Sequence, residues 1–168
     1  YPENVLWMMK HVVFAGLHVV GSNNNLGRTP AADAEHVARN AATLDWLRKA
    51  FAVARLTRAK AVMLIIQANP DFDLPATERT GFNDFLASLE AETIAYGRPV
   101  VLVHGDSHYF RIDKPMLGAR SGRRVENFTR VETFGERDNH WLRVTVEPLS
   151  PNVFVFDQRL VPANLVQH

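Results

Sequence analysis

The chain has no cysteine, which excludes disulfides and thiolate metal sites and leaves His, Asp, Glu and amide oxygens as metal donors. It has no excess of charge: 19 Lys and Arg stand against 18 Asp and Glu, a formal net charge of +1. Such a balance sets up no long-range field to attract nucleic acid or an anionic membrane, so any anion must be recognised locally. No apolar run approaches the ~20 residues of a membrane span, and nothing resembles a basic leader followed by an apolar signal core, so the sequence reads as soluble. Internal repeats and low-complexity tracts are absent as well. None of this defines compartment or oligomeric state.

What is present suits one domain. At 168 residues and 46% hydrophobic, the chain can bury one core but not two comfortable ones. It opens at Tyr1 without an initiator Met and enters patterned sequence almost at once, which leads to the expectation of a C-terminal portion whose upstream part is missing. His11 to Val20 reads as a buried strand ending at Gly21. Thr29-Pro30 with Asp33 marks a helix start, and Val37, Ala41, Leu44, Leu47, Phe51 and Ala54 recur at helical spacing to about Arg58. Ala61 to Ile66 is a second strand, closed by Gln67 and the Asn69-Pro70 turn. Thr80 to Tyr96 is a second helix, with Phe82, Phe85, Leu86, Leu89 and Ile94 on its apolar face and Gly97 as its stop.

Pro99 to His104 completes a β-α-β-α-β pattern, the mark of a parallel α/β sheet with right-handed crossovers. Arg111 to Arg124, with five basic side chains, Gly118, Gly122 and Pro115, reads as an exposed loop. Asn127 to Phe134, His140 to Val146 and Val153 to Phe156 then follow without helices and read as antiparallel strands added to the edge or face of the sheet.

Chemistry gathers where the parallel strands end. Val100 to Val103 is a continuous apolar run that stops in His104-Gly105-Asp106-Ser107-His108. Open α/β sheets place ligands in the crevice at the carboxyl ends of their strands. Asn23, Asn24 and Asn25 follow the first strand and Gln67 the second, so the three strand ends bring oxygen and imidazole donors together. Such donors suit Mn, Fe, Zn or Mg, and a metal pair is the usual device for in-line displacement at a phosphate ester. Asparagines also tolerate left-handed backbone, so a plain turn role stands beside the ligand role. Arg111, Lys114 and Arg28 lie close to these motifs and could meet a phosphate. A solvated basic surface is the other reading of each.

Gly21-Ser22-Asn23-Asn24, Leu64-Ile65-Ile66-Gln67 and Gly105-Asp106-Ser107-His108, in that order, resemble the second half of the calcineurin-like metallophosphoesterases. That family has a Gly-Asn-His loop, then a strand ending in His, then Gly-His-x-His. The resemblance implies an α/β/β/α sandwich, two divalent metal ions and a small phosphorylated substrate. It places metal ligands at Asn23, Asn24, Gln67, Asp106 and His108, catalytic positions at Asn24 and Asp106, and substrate phosphate at Arg111 and Arg28. The sequence departs from the pattern at three points. Gln67 and Asp106 stand where the family has His, and Asn24 or Asn25 stands near the catalytic His. Asparagine cannot act as a general acid, and the upstream Asp-x-His and Gly-Asp motifs have no counterpart among the first twenty residues.

The same departures suit a degenerate phosphoesterase fold that binds a phosphorylated ligand or a protein partner. Gly105-Asp106-Ser107 also resembles the nucleophile motif of SGNH or GDSL-type esterases. That likeness implies Ser107 as nucleophile, His140 as base oriented by Asp138, and Asn24 in an oxyanion site. The order argues against it, since Ser107 comes late, His108 follows it in place of Leu, and Asp138 is two rather than three residues before His140.

Overall fold

The computed structural model describes residues 1–136 and 139–165. Along the chain run β1 (Val5–Met9), β2 (Val12–Gly16), a short turn (Gly21–Asn24), α1 (Pro30–Leu56) and β3 (Ala61–Ile65). A 3-10 turn (Thr80–Phe82), α2 (Asn83–Tyr96), β4 (Val100–His104), β5 (Arg111–Asp113), β6 (Phe128–Glu132), β7 (Trp141–Val146) and β8 (Phe154–Arg159) follow. The first six strands form one sheet in the order β1-β2-β3-β4-β6-β5, and β7 and β8 form a separate pair. β2, β3, β4 and β6 are mutually parallel, while β1, β5 and the β7–β8 pair are antiparallel. The fold is thus mixed α/β with a mostly parallel sheet, as the strand and helix alternation predicts.

Both faces of the sheet are covered, which is why its central strands read as unbroken apolar runs rather than alternating ones. On one face the registered row Val13, Val62, Val100 and Phe128 packs against Leu47, Phe51, Phe85 and Leu89 of the helices. On the other, Phe14, Met63, Val101 and Val131 pack against Val146 and Phe154 of the β7–β8 pair. Each large side chain buried in this way contributes about 1.5–3 kcal/mol. α1 is capped by Thr29, whose hydroxyl accepts from Ala32 N–H at 3.1 Å, with Pro30 in the first turn.

Five elements differ from the sequence reading. β1 is an added edge strand, joined to β2 by the two-residue turn Lys10-His11 with φ of 48° and 59°. Such turns normally carry Asn or Gly, so the sequence holds no signal for this one. β6 pairs parallel with β4 instead of joining an antiparallel tail. The chain leaves β4, lays down the edge strand β5 within the expected 111–124 loop, and returns between the two, a crossover made without a helix. The apolar stripe expected on α1 holds only in its second half. Val37 is 65% exposed, and His36, Arg39, Asn40 and Thr43 face inward in its place, because this end of the helix packs on a polar loop rather than on the sheet. Ile94 of α2 likewise faces solvent.

Candidate functional site

Beyond β2 the backbone turns left-handed at Ser22, Asn23, Asn24 and Asn25, with φ between 53° and 65°. Left-handed geometry costs L-residues about 1–2 kcal/mol each, and asparagine tolerates it best of the non-glycine residues. Two elements hold the loop in place. From α1, buried Arg39 donates to Asn24 Oδ1 at 2.6 Å, to Asn24 O at 2.9 Å and to His18 O at 3.1 Å. His36 Nδ1 lies 2.8 Å from Asn24 O and therefore carries the proton. Glu35 anchors the guanidinium from outside at 2.6 and 3.1 Å, and that bond holds the Glu35 carboxyl down at about 2.

From the 3-10 turn, Gly81 N–H donates to Asn23 Oδ1 at 2.8 Å and Gly81 O accepts from Asn24 Nδ2 at 2.9 Å. A Cβ on Gly81 would lie 1.9 Å from Asn23 O, so no side chain fits there without moving backbone. Gly81→Ala is expected to cost about 1–3 kcal/mol as an overpacking change, read as a lowered urea midpoint with unchanged slope.

These bonds decide what the asparagines can do. The amides of Asn23, Asn24 and Asn25 are engaged with Gly81 and Thr80, with Arg39 and Gly81, and with Glu35, respectively. Asn24 is fully buried, so its side chain is a fastener for the loop and is not presented to a ligand.

Gln67 and Asp106 do meet. Gln67 Oε1 accepts from Gly21 N–H at 2.8 Å, and its Nε2 donates to Asp106 Oδ1 at 3.2 Å. Asn69 N–H lies 3.4 Å from Asp106 Oδ2. A Cβ on Gly21 would come within 2.9 Å of Asp106 Oδ2, so glycine lets the carboxylate close on the loop. The ends of β2, β3 and β4 thus converge on one exposed carboxylate, presented from left-handed backbone with φ of 81°. Among the described residues no cationic side chain pairs with it. Asp71 stands near, its carboxyl raised above the usual range by burial and then by the Asp106 charge.

The other expected site residues lie elsewhere. His108, half exposed, turns toward the segment after β6, with Nδ1 3.3 Å from Glu136 Oε2. Arg28 is exposed and forms no ion pair among the described residues. Lys114 is occupied with the carbonyls of Glu126 and Phe128. Ser107 donates to Glu132 rather than to His140. His140 Nδ1 accepts from Val161 N–H at 3.1 Å, and its ring stands edge-on to Phe134. The pairing a serine esterase requires is therefore not formed, and Asp138 lies outside the described residues.

One group was only partly visible in the sequence, through His104 and Arg111, while the buried partners of these two residues were not. On the helix face of the sheet the apolar rows give way, toward the carboxyl end, to Arg130, His104 and Glu132, all buried. Arg130 donates to Asp113 at 2.7 and 2.5 Å, Arg111 Nε donates to Glu132 at 2.6 Å, and both arginines meet Asp73. Burial raises the Glu132 carboxyl and Arg111 opposes it. Burial pushes the His104 imidazole down to about 4, and its Nε2 has no hydrogen-bond partner among the described residues. For Arg130 and Glu132 the only available signal was a charged residue at every second position of a strand, which alternation alone reads as a solvent face.

The donor set does not fit a metal pair. Among the described residues no three His, Asp or Glu side chains come together to hold an ion. Gln67, Asn23 and Asn24 have their amide oxygens engaged, and His108 is turned away. No helix among the described residues is long and apolar enough to cross a membrane. No protein-family model matches the chain, nor does any curated protein or solved structure.

Proposed function

We propose that this chain acts on phosphate esters, as the C-terminal portion of a metallophosphoesterase-like α/β/β/α sandwich. The observation that carries the reading is the Gln67–Asp106 contact beneath Gly21, which sets a carboxylate at the carboxyl edge of a parallel sheet, where α/β folds place their ligands. Layering supports it too, with helices on one face of the sheet and a β-pair on the other. The described donors do not complete a seat for metal ions. The reading therefore gives Asp106 only what its carboxylate does by itself, which is to hold charge and accept hydrogen bonds at the crevice.

A second reading, binding of a phosphorylated ligand without turnover, is favoured by one observation. The amides of Asn23, Asn24 and Gln67 are all used to fasten the loops. Hydrolysis of bis(p-nitrophenyl) phosphate and p-nitrophenyl phosphate, assayed with Mn, Mg and Zn in turn, separates the two. Phosphoesterase action predicts turnover that Asp106→Ala lowers by at least about tenfold, or about 1.4 kcal/mol of barrier. Turnover that the variant leaves unchanged, or none with any of the metals, would remove the first reading.

A further inference from the structure

The geometry points to an anion clamp made by Arg111 and Arg130, in which the phosphate group of a ligand takes the place that the Asp73 carboxylate holds. Nη1 of each arginine lies 3.0 Å from the same Asp73 oxygen, Oδ2. Neither guanidinium depends on Asp73 for its orientation. Arg130, 1% exposed, is gripped on its other edge by both oxygens of Asp113 and packs over the Phe72 ring. Arg111, 27% exposed, is held through Nε by buried Glu132, which also takes the Ser107 hydroxyl. Two planar forks fixed in this way bring one cationic nitrogen apiece to a common point, Arg130 through a hydrogen bond and Arg111 through an ion pair, and such paired guanidinium groups recognise phosphate and carboxylate oxygens.

The present occupant is poorly committed to its place. Asp73 is 59% exposed and sits in the stretch 66–79, which has neither helix nor strand. The two arginines are balanced by Asp113 and Glu132, so removing Asp73 leaves the cluster neutral and open to an anion. Arg130 bonding holds the Asp73 carboxyl below its ordinary range, as expected for an anion seated on a cation. Asp73 is thus an internal plug, and a tethered plug competes at an effective concentration of millimolar order. The clamp adjoins the crevice through Ser107, the neighbour of Asp106. Its assignment to substrate phosphate rests on the phosphoesterase reading, whereas its capacity to bind an anion does not.

The test uses the 168-residue chain and inorganic phosphate, against sodium chloride of equal ionic strength. Asp73→Ala is expected to gain about 3 °C in Tm at about 10 mM phosphate while the wild type gains under about 1 °C. By calorimetry the variant binds phosphate at least about tenfold more tightly than the wild type. Asp73→Asn, which keeps a neutral oxygen in place, falls between, and adding Arg111→Gln to Asp73→Ala removes the gain. A parallel arm with phenyl phosphate identifies the source. An equal gain assigns the clamp to ester-bound phosphate, and a gain with inorganic phosphate alone assigns it to the free ion. No phosphate-specific gain in Asp73→Ala and Asp73→Asn chains that circular dichroism shows to be folded overturns the clamp. Absence of hydrolysis leaves it standing, because the readout is binding.

Discussion

Arg39→Ala is expected to destabilise the chain by about 3 kcal/mol, lowering Tm by roughly 6–12 °C for a domain of this size. The side chain is buried, and its removal strips a donor from three acceptors at once: Asn24 Oδ1, Asn24 O and His18 O. An abandoned buried acceptor costs about 1–3 kcal/mol. His36 and Thr43 still reach Asn24 O and His18 O, which keeps the total from being three times that figure. Lysine is not a remedy, since an ammonium cannot span three acceptors and Glu35 with a planar fork. Arg39→Lys should therefore recover less than half the loss. Thermal and urea denaturation of both variants check this, and a loss below about 1 kcal/mol for Arg39→Ala would mean that the left-handed loop is held by something other than this guanidinium.

Acidification gives the second large effect. His104 titrates near 4 in the folded chain because burial disfavours its charged form, against an ordinary value of about 6.5. The folded pKa is the lower one, so the unfolded chain takes up this proton first. The stability due to neutral His104 is complete above about pH 6.5 and is lost as pH falls toward 4, reaching about 2 kcal/mol at pH 5 and about 3 kcal/mol in full. Glu132 works in the opposite direction. Its raised carboxyl contributes stability that is present at low pH and lost as pH rises through its folded value. The two partly cancel in the wild type, so the measurement is a difference. Urea unfolding of wild type and His104→Gln at pH 7 and pH 5 should show the wild type losing about 2 kcal/mol more than the variant. Equal losses in the two chains would mean that His104 protonates freely in the native state.

Local composition and periodicity foretold the elements that rest on them. β3, β4 and both helices were readable from apolar runs, a Thr-Pro start and a Gly stop. The apolar run also marked where β4 ends, and Asp106 beyond it meets Gln67 at the end of β3. What could not be read depends on contacts distant in sequence. Parallel pairing of β6 with β4 needs a partner more than twenty residues away, and nothing within Phe128–Glu132 specifies its direction. The asparagine loop carries two messages in one composition, ligand and turn. Which applies is set by Arg39, whose inward position is hidden in a helix where Val37 and Ala41 offer a plausible but unused apolar face. Arg130 and Glu132 misled for the opposite reason, because charged side chains in a strand are buried only when they find partners, and theirs come from Asp73, Ser107, Arg111 and Asp113.

The two margins of the sheet are unlike. β5 ends it with Arg111 and Asp113, whose charges are tied into the Arg130 and Glu132 cluster, and Lys114-Pro115 follows at once. A further strand laid along that margin would meet a proline and a short, charged partner. β1 ends the other side with five uncharged residues, Val-Leu-Trp-Met-Met, of which Val5, Trp7, Met8 and Met9 are exposed. Its outer row of N–H and C=O groups faces no strand among the described residues. A further strand would therefore meet less opposition at the β1 margin than at the β5 margin.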